Sequence, residues 1–356
     1  MIRRLMSLFV VLIVFVGNVP SVCASAPRGL TVMTRNMDAG SDFWYVLTAD
    51  PNDPGAILVA VTQTYQEMLA SNLRQRADGI AAEIQSYRPD MVALQEVTTL
   101  SSGPYGSSNL TVDVSGFDSL MAALKARGMS YKAVFVQKNS DVSLPALDAT
   151  YQNFIQVSLT DFDAVLVRSD LLSEGLNIRK VQAEHFSDAA TLTYTVAGRS
   201  IPFYRGWIAV DAKLRGVNYR FVTTHLETFS PDYQAMQTNE LLIGPLNTDL
   251  PLILAGDLNS DAIVPSPANG PAYGILTSAG FVDAWSTLRP NDLGVTWPLF
   301  LEDSGLGPST PQRIDLILVK GSSVSPSQIT ETGLSPVNGV WSSDHAGVDA
   351  TLTLRK

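Results

Sequence analysis

The stretch at residues 251–261, PLILAGDLNSD, decides how the rest of the chain is read. Pro251 precedes four apolar residues, Leu252 to Ala255, which read as a short buried strand. Gly256 then lets the backbone turn or come close to a ligand. Asp257 and Asn259 follow two apart, so they share a side if the strand persists. A carboxylate and an amide at the end of a buried strand can orient a water and hold a phosphoryl oxygen. Taken alone, the same residues also suit an Asx turn that caps the next helix.

Working outward, polar residues recur at other strand junctions. Asn36 follows LTVMTR, Glu96 follows MVALQ and His225 follows FVTT. Asp315 sits in QRIDLILV, and Asp344-His345 in SSDHAGV. In mixed sheets the C-terminal ends of some strands lie beside the N-terminal ends of antiparallel neighbours, so all of these can meet at one edge. Any single one could equally be a cap or turn residue. Of the three histidines, His225 and His345 lie at these junctions. His185, in AEHFSD, has no such context and reads as structural.

The remaining elements are strands with interspersed helices. Helical patterns cover residues 56–69, 73–87, 117–127, 232–246 and 268–278. Strands are expected at 30–34, 91–94, 131–136, 164–167, 178–181, 191–196, 207–214, 219–224, 314–319 and 346–354. Arg215-Gly216 and Gly198-Arg199 read as hairpin turns. Residues 101–116 read as a Ser- and Gly-rich surface loop, and 139–160 as an insertion without clear period. Hairpin-joined strands argue for mixed sheets, and the mature chain, residues 25–356, reads as one domain.

Residues 1–24 read as a secretory signal peptide: Arg3 and Arg4, an apolar run from Leu5 to Val16, and small residues up to Ala24. The expected location is therefore secreted or periplasmic. Cleavage after Ala24 removes Cys23, the only cysteine, so disulfides and cysteine-bound zinc are excluded from the mature fold. It also removes two arginines and no acid, leaving 22 basic against 34 acidic residues. Such a balance argues against broad non-specific nucleic-acid binding. It suits a site that collects a hard cation. No G-x-x-x-x-G-K-[ST] loop, H-E-x-x-H, G-x-S-x-G elbow or strand-following G-x-G-x-x-G is present.

Six short pieces in order, TRN at 34–36, LQEV at 94–97, TTHLE at 223–227, GDLNSD at 256–261, RIDLIL at 313–318 and SDHAGV at 343–348, resemble the endonuclease/exonuclease/phosphatase superfamily. The resemblance to this deoxyribonuclease-I-like fold implies a four-layered α/β/β/α sandwich of two mixed sheets, with the active site at one edge. It implies a metal-dependent phosphodiesterase using direct water attack, with no covalent enzyme intermediate. Asn36, Glu96 and Asp344 would be metal-site residues, Glu96 the direct ligand. Oxygen donors suit Mg²⁺ first, with Mn²⁺ or Ca²⁺ as alternatives. Asp257 would orient or deprotonate the water, Asn259 hold that geometry and His225 contact phosphate. His345 would pair with Asp315, and either Asp257 or this pair could be the general base.

The stretch between Asn36 and Glu96 is longer than in compact family members and carries Phe43-Trp44-Tyr45. That cluster is expected to pack the insertion against the sandwich; base stacking or a membrane interface are the alternatives. Tyr151, Asn153 and Arg168 are candidates for a further family residue, and Arg205 is expected to be an exposed structural arginine. The expected substrate is a phosphoester, with nuclease-type activity ahead of cleavage at a phospholipid head group. No stable nucleic-acid complex and no membrane anchor after signal removal are expected, and the mature chain is expected to be a monomer. A non-catalytic binding protein on this sandwich would have lost at least one matched polar residue, and none is lost.

Overall fold

The computed structural model describes residues 29–196, 199–300 and 310–355. The expected signal peptide, and Gly198 of the expected hairpin turn, lie outside the described residues.

In chain order, β1 (Leu30–Asn36) leads through α1 (Trp44–Thr48), α2 (Pro54–Ala70) and α3 (Leu73–Tyr87) to β2 (Met91–Gln95), β3 (Thr99–Pro104) and β4 (Thr111–Ser115). Next come α4 (Gly116–Ala126), the long β5 (Tyr131–Leu147) and β6 (Phe154–Arg168), and α5 (Ser169–Ser173). Then follow β7 (Asn177–His185), β8 (Leu192–Val196), β9 (Arg199–Phe203), β10 (Gly206–Leu214), β11 (Val217–Thr224) and α6 (Pro231–Ile243). β12 (Leu252–Asp257) contains most of the opening stretch. It precedes α7 (Ala272–Ser278), β13 (Val282–Asp283), α8 (Ala284–Leu288), β14 (Asp315–Lys320), β15 (Val324–Thr332) and β16 (Gly347–Leu354).

Two large sheets result. One has the order β15-β16-β1-β2-β6-β3-β4, with β5 also paired to β6. The other runs β13-β14-β12-β11-β10-β7, and β8-β9 forms a separate hairpin. Both are mixed: β1–β2 and β11–β12 are parallel, whereas β1–β16 and β12–β14 are antiparallel.

Period-two alternation explains the layers. In β12, Ile253 and Ala255 enter the core between the sheets with Ile208, Val210 and Phe221, while Leu252 and Leu254 pack outward. The outward set meets Leu241 of α6 and Leu276 of α7. On the first sheet, Met33, Val92 and Leu94 face Ile80, Ile84 and Leu120 of α3 and α4. Helix, sheet, sheet, helix is the four-layered sandwich.

Three expectations change. Residues 101–116 form the β3–β4 hairpin on the sheet edge, where exposed strand faces tolerate polar residues. The stretch 139–160 is the outer half of a β5–β6 hairpin, whose tip closes around Asp148. Bulges after Ala133 and after Lys138 break its alternation. Gly256 serves its neighbour strand rather than a ligand: a Cβ there would lie 2.2 Å from the Thr224 carbonyl oxygen.

Candidate active site

The antiparallel register sets Asp257, last in β12, opposite Asp315, first in β14. His225, one residue past β11, bridges to Asp257 in the parallel sense. In the facing sheet, β1 and β2 end side by side at Asn36 and Gln95, and Glu96 follows. Asp344-His345 precedes β16, the other neighbour of β1. All eight expected site residues therefore converge where the two sheets end.

The floor of the site ties the sheets together. Thr34 Oγ1 donates to Gln95 Oε1 at 3.1 Å, and Gln95 Nε2 donates to Thr223 Oγ1 at 3.0 Å, all fully buried. Arg35, also buried, donates to the His345 carbonyl at 2.5 Å and pairs with Glu83 at 3.0 Å. That pins the turn carrying His345 to β1.

Glu96 and Asn259 both adopt left-handed backbone, φ 53° and 46°. Such conformations are costly for non-glycine residues and persist where surroundings hold them. The Ala39 N–H donates to Glu96 Oε2 at 2.7 Å, and the Asn259 N–H donates to Asp257 Oδ1 at 2.9 Å. Asn36 Nδ2 donates to Glu96 Oε1 at 2.9 Å and to Asp257 Oδ2 at 3.0 Å, while its Oδ1 accepts from the Asp38 N–H. The amide orientation is fixed by that backbone donor, so Asn36 steers two carboxylates. Asn259 Nδ2 donates to the Leu226 carbonyl at 3.0 Å, which anchors the amide beside the cavity.

The surroundings of the two imidazoles push them in opposite directions. His345 Nδ1 lies 2.8 Å from Asp315 Oδ2. Burial works against its charge, but Asp315, Asp344 and Asp257 together hold His345 well above the usual histidine range. His225 is pushed well below it by burial, by Arg205 and by His345. Arg205 Nη1 lies 2.7 Å from His225 Nδ1. A guanidinium can only donate, so Nδ1 accepts and Nε2 carries the proton. That Nε2 faces Asp257 Oδ2 at 3.5 Å and Glu96 Oε1 at 3.9 Å.

Burial and the Asp315 charge push Asp257 up to about 7, against the pull of His345 and the Asn259 and Asn36 hydrogen bonds. Asp344, which accepts from Trp297 Nε1 at 3.0 Å, is raised by burial and by Asp38. Carboxylates that repel one another in a buried site are what a cation would relieve. Glu96, His225 and Asp257 offer ligand atoms within 4.8 Å of one another, as do Asp257, Asp315 and His345. The carboxylate oxygens of Glu96, Asp257 and Asp315 are the donors in these groups that fit a hard divalent ion.

Arg205 was expected to be exposed, and it is buried. Its charge lies near Glu227, Asp161, Glu96 and Asp163. It precedes Gly206, where a Cβ would meet the Gln137 side chain at 2.4 Å, and this small residue was the available signal. Trp297, which no motif in the sequence marks, lines the same cavity. Tyr151 and Asn153 lie at the β5–β6 tip, and Arg168 is buried in a structural pair with Asp90 at 3.0 Å, so none joins the site. His185 is exposed, hydrogen-bonded to the Lys138 carbonyl and stacked on Tyr204, as a structural histidine.

Two sheets converging on a carboxylate- and imidazole-lined edge define a phosphoesterase scaffold of the deoxyribonuclease-I-like class. Residues 68–345 match the sequence profile of the Endonuclease/Exonuclease/phosphatase family. The chain belongs to that family of metal-dependent phosphoesterases. No curated protein matches it by sequence.

Solved structures share the fold. Among them is TDP2 from D. rerio complexed with single strand DNA product (18% identity, 91% of this chain and 99% of that one, TM-score 0.54). Others are an endonuclease/exonuclease/phosphatase family protein from Leptotrichia buccalis (14%, 92% and 100%, 0.54) and a mannosyl-6-phosphatase from Bacteroides thetaiotaomicron (17%, 92% and 100%, 0.51).

Proposed function

We propose that the protein hydrolyses phosphodiesters by direct attack of water on phosphorus, with a divalent cation, Mg²⁺ first among the choices, held by Glu96 and Asp344 and with Asn36 steering Glu96. The observation that carries this reading is the meeting of Glu96, His225, Asp257 and His345 on one cavity wall, with Asp315 hydrogen-bonded to His345 behind it. When bound, the cation supplies charge stabilisation at the phosphoryl group.

The chain's own groups do the rest. Asp257, raised toward neutrality, accepts the proton of the attacking water, which the Asn259 oxygen orients. The His225 Nε2–H donates to a non-bridging oxygen as charge gathers there. The acids around His345 favour its imidazolium form, which would stabilise negative charge on the phosphoryl group. The P–O bond to the leaving group breaks, the departing oxygen takes up a proton from solvent, and the products are a phosphomonoester and the alcohol.

The chain is exported, with cleavage after Ala24, which N-terminal sequencing of the mature protein checks. Nucleic-acid cleavage, the first expectation, and head-group release from a lipid are both hydrolyses at this centre. The cavity beside it favours the second, as argued below. Metal-dependent turnover of bis-(p-nitrophenyl) phosphate, abolished by EDTA and by Asp257→Ala, is the expected result. Turnover unaffected by either treatment would remove the basis of the proposal.

A further inference from the structure

We infer that the cavity running away from the catalytic groups takes the apolar part of an amphiphilic phosphoester, so that the substrate carries a hydrocarbon chain on its phosphate. This rests on the phosphoesterase reading above. The cavity has a volume of about 610 Å³, and Glu96, His225, Asp257 and His345 form one end of its lining. That size falls in the ~300–1,000 Å³ range of small-molecule sites.

The other end is built by the two segments whose role the sequence left open. From α2, Ile57, Val61 and Met68 face it; from the outer β5–β6 hairpin, Leu144, Val157 and Leu159 do. Most of these belong to a hydrophobic cluster separate from the three that hold the sandwich together. A cluster that encloses a hollow continuous with a reacting centre is a ready receptor for hydrocarbon, because a close-packed core leaves no such space.

Two polar atoms sharpen the match. Thr64, only 6% exposed, and Tyr194 both line the cavity, and neither hydroxyl has a hydrogen-bond partner among the described residues. Buried hydroxyls normally find one, and a polar atom of a bound amphiphile would supply it. At the rim, Leu47 and Phe229 expose 43% and 55% of their surface, giving an apolar entrance.

Charge points the same way. Arg205 is the only Lys or Arg among the described lining residues, against the acids Asp38, Asp42, Glu96, Asp161, Asp257 and Asp344. A nucleic-acid strand needs several cations along its backbone. One phosphate with an apolar tail needs only the catalytic end.

The test is a series of alkyl p-nitrophenyl phosphates from methyl to dodecyl, each below its micelle concentration, with the Mg²⁺-loaded protein. A methylene moved from water to an apolar chamber is expected to raise kcat/KM about two- to fourfold. Methyl to octyl should therefore gain at least about 100-fold. Ile57→Trp and, independently, Ile201→Trp, the latter on β9 in the same lining, fill the chamber and should flatten the series while leaving the methyl ester untouched.

Octyl- and dodecylphosphonate binding, followed by calorimetry, gives a readout without turnover. Affinity that tightens with chain length but no hydrolysis would support the chamber and sink the phosphoesterase reading. Hydrolysis with no dependence on chain length, or plasmid DNA cut faster than the octyl ester, would overturn the chamber assignment. Phosphatidylcholine in vesicles, compared with its short-chain monomer, tells whether the amphiphile comes from a bilayer or from solution. Cleavage of neither would count against the proposal.

Discussion

Replacing Asp315 with Asn removes one charge and leaves the shape, which makes it the sharpest probe of the two-imidazole arrangement. In the wild-type protein Asp315 Oδ2 lies 2.8 Å from His345 Nδ1, with both side chains buried. At an effective dielectric of ~20, opposite charges that close attract by about 6 kcal/mol, which burial of both then offsets in part. Asn keeps an oxygen in place but not the charge, so His345 loses its largest support. The chain has three histidines, so nitrogen-15 spectra of the imidazoles resolve each one.

At pH 7.5 the wild type should show His345 protonated on both nitrogens and His225 neutral with its proton on Nε2. In Asp315→Asn, His345 should become neutral at the same pH. Turnover should fall about 10²–10³-fold, the range for losing one preorganised charge-stabilising donor, with kcat rather than KM carrying the loss.

Stability follows the same linkage. A histidine whose folded value stands above 6.5 contributes fully below pH ~6.5, and the contribution fades as pH rises through the folded value. The urea midpoint of the wild type should therefore decline on the alkaline side, and that of Asp315→Asn should lack this decline. An unchanged His345 spectrum in the variant, or a neutral His345 in an active wild type, would refute the reasoning.

Other outcomes are expected. Arg205→Gln should let His225 populate both tautomers, visible in the same spectra, and lower turnover about 10–100-fold. Unchanged tautomer populations would show that Arg205 does not set them. Asp349, buried away from the site, is pushed from 3.8 up to about 7 by burial and by Asp90. Its ionised form is thus unfavourable in the fold, and stability should rise as pH falls from ~7 toward ~4. Asp349→Asn should stabilise the protein at pH 8 by up to ~4 kcal/mol, from about three pH units at ~1.36 each, with no gain at pH 4 in urea melts. Mg²⁺ at 100 times its dissociation constant should stabilise the wild type by ~2.7 kcal/mol, and Glu96→Gln by much less. Equal thermal shifts in both would remove Glu96 from the ligand set. With Asp257 near 7, kcat/KM should rise between pH 6 and 8, and higher Mg²⁺ should move that limb to lower pH. A limb that stays fixed would show that the cation lies far from Asp257.

The catalytic end of the molecule was legible because its chemistry permits few residue types and because strand ends are easy to find. LILAGDLN predicts a buried strand ending in a carboxylate, and Asp257 sits there at 1% exposure. Expecting antiparallel neighbours brought Asp315 and His345 to the same edge. What stayed hidden was the support around those groups. Arg205 reads as any arginine before a strand; only the fold shows it buried against His225, because the partner comes from another strand end 20 residues away.

The proposed substrate end was illegible for a different physical reason. Its walls are ordinary apolar residues, and Ile57, Val61 or Leu144 carry no sign of whether they fill a core or line a hollow. The β5–β6 hairpin escaped period-two reading because bulged residues shift alternation from one face to the other. The β3–β4 edge escaped because strand preference yields to position in the sheet. The division has a consequence for the molecule itself. Hydrogen bonds across both sheets fix the polar groups of the site, whereas the chamber is walled by α2, the outer half of the β5–β6 hairpin and the β8–β9 hairpin. Substitutions at Ile57 or Leu144 can therefore reshape what the protein accepts without moving Asp257, and changes at Gln95 or Arg35 cannot.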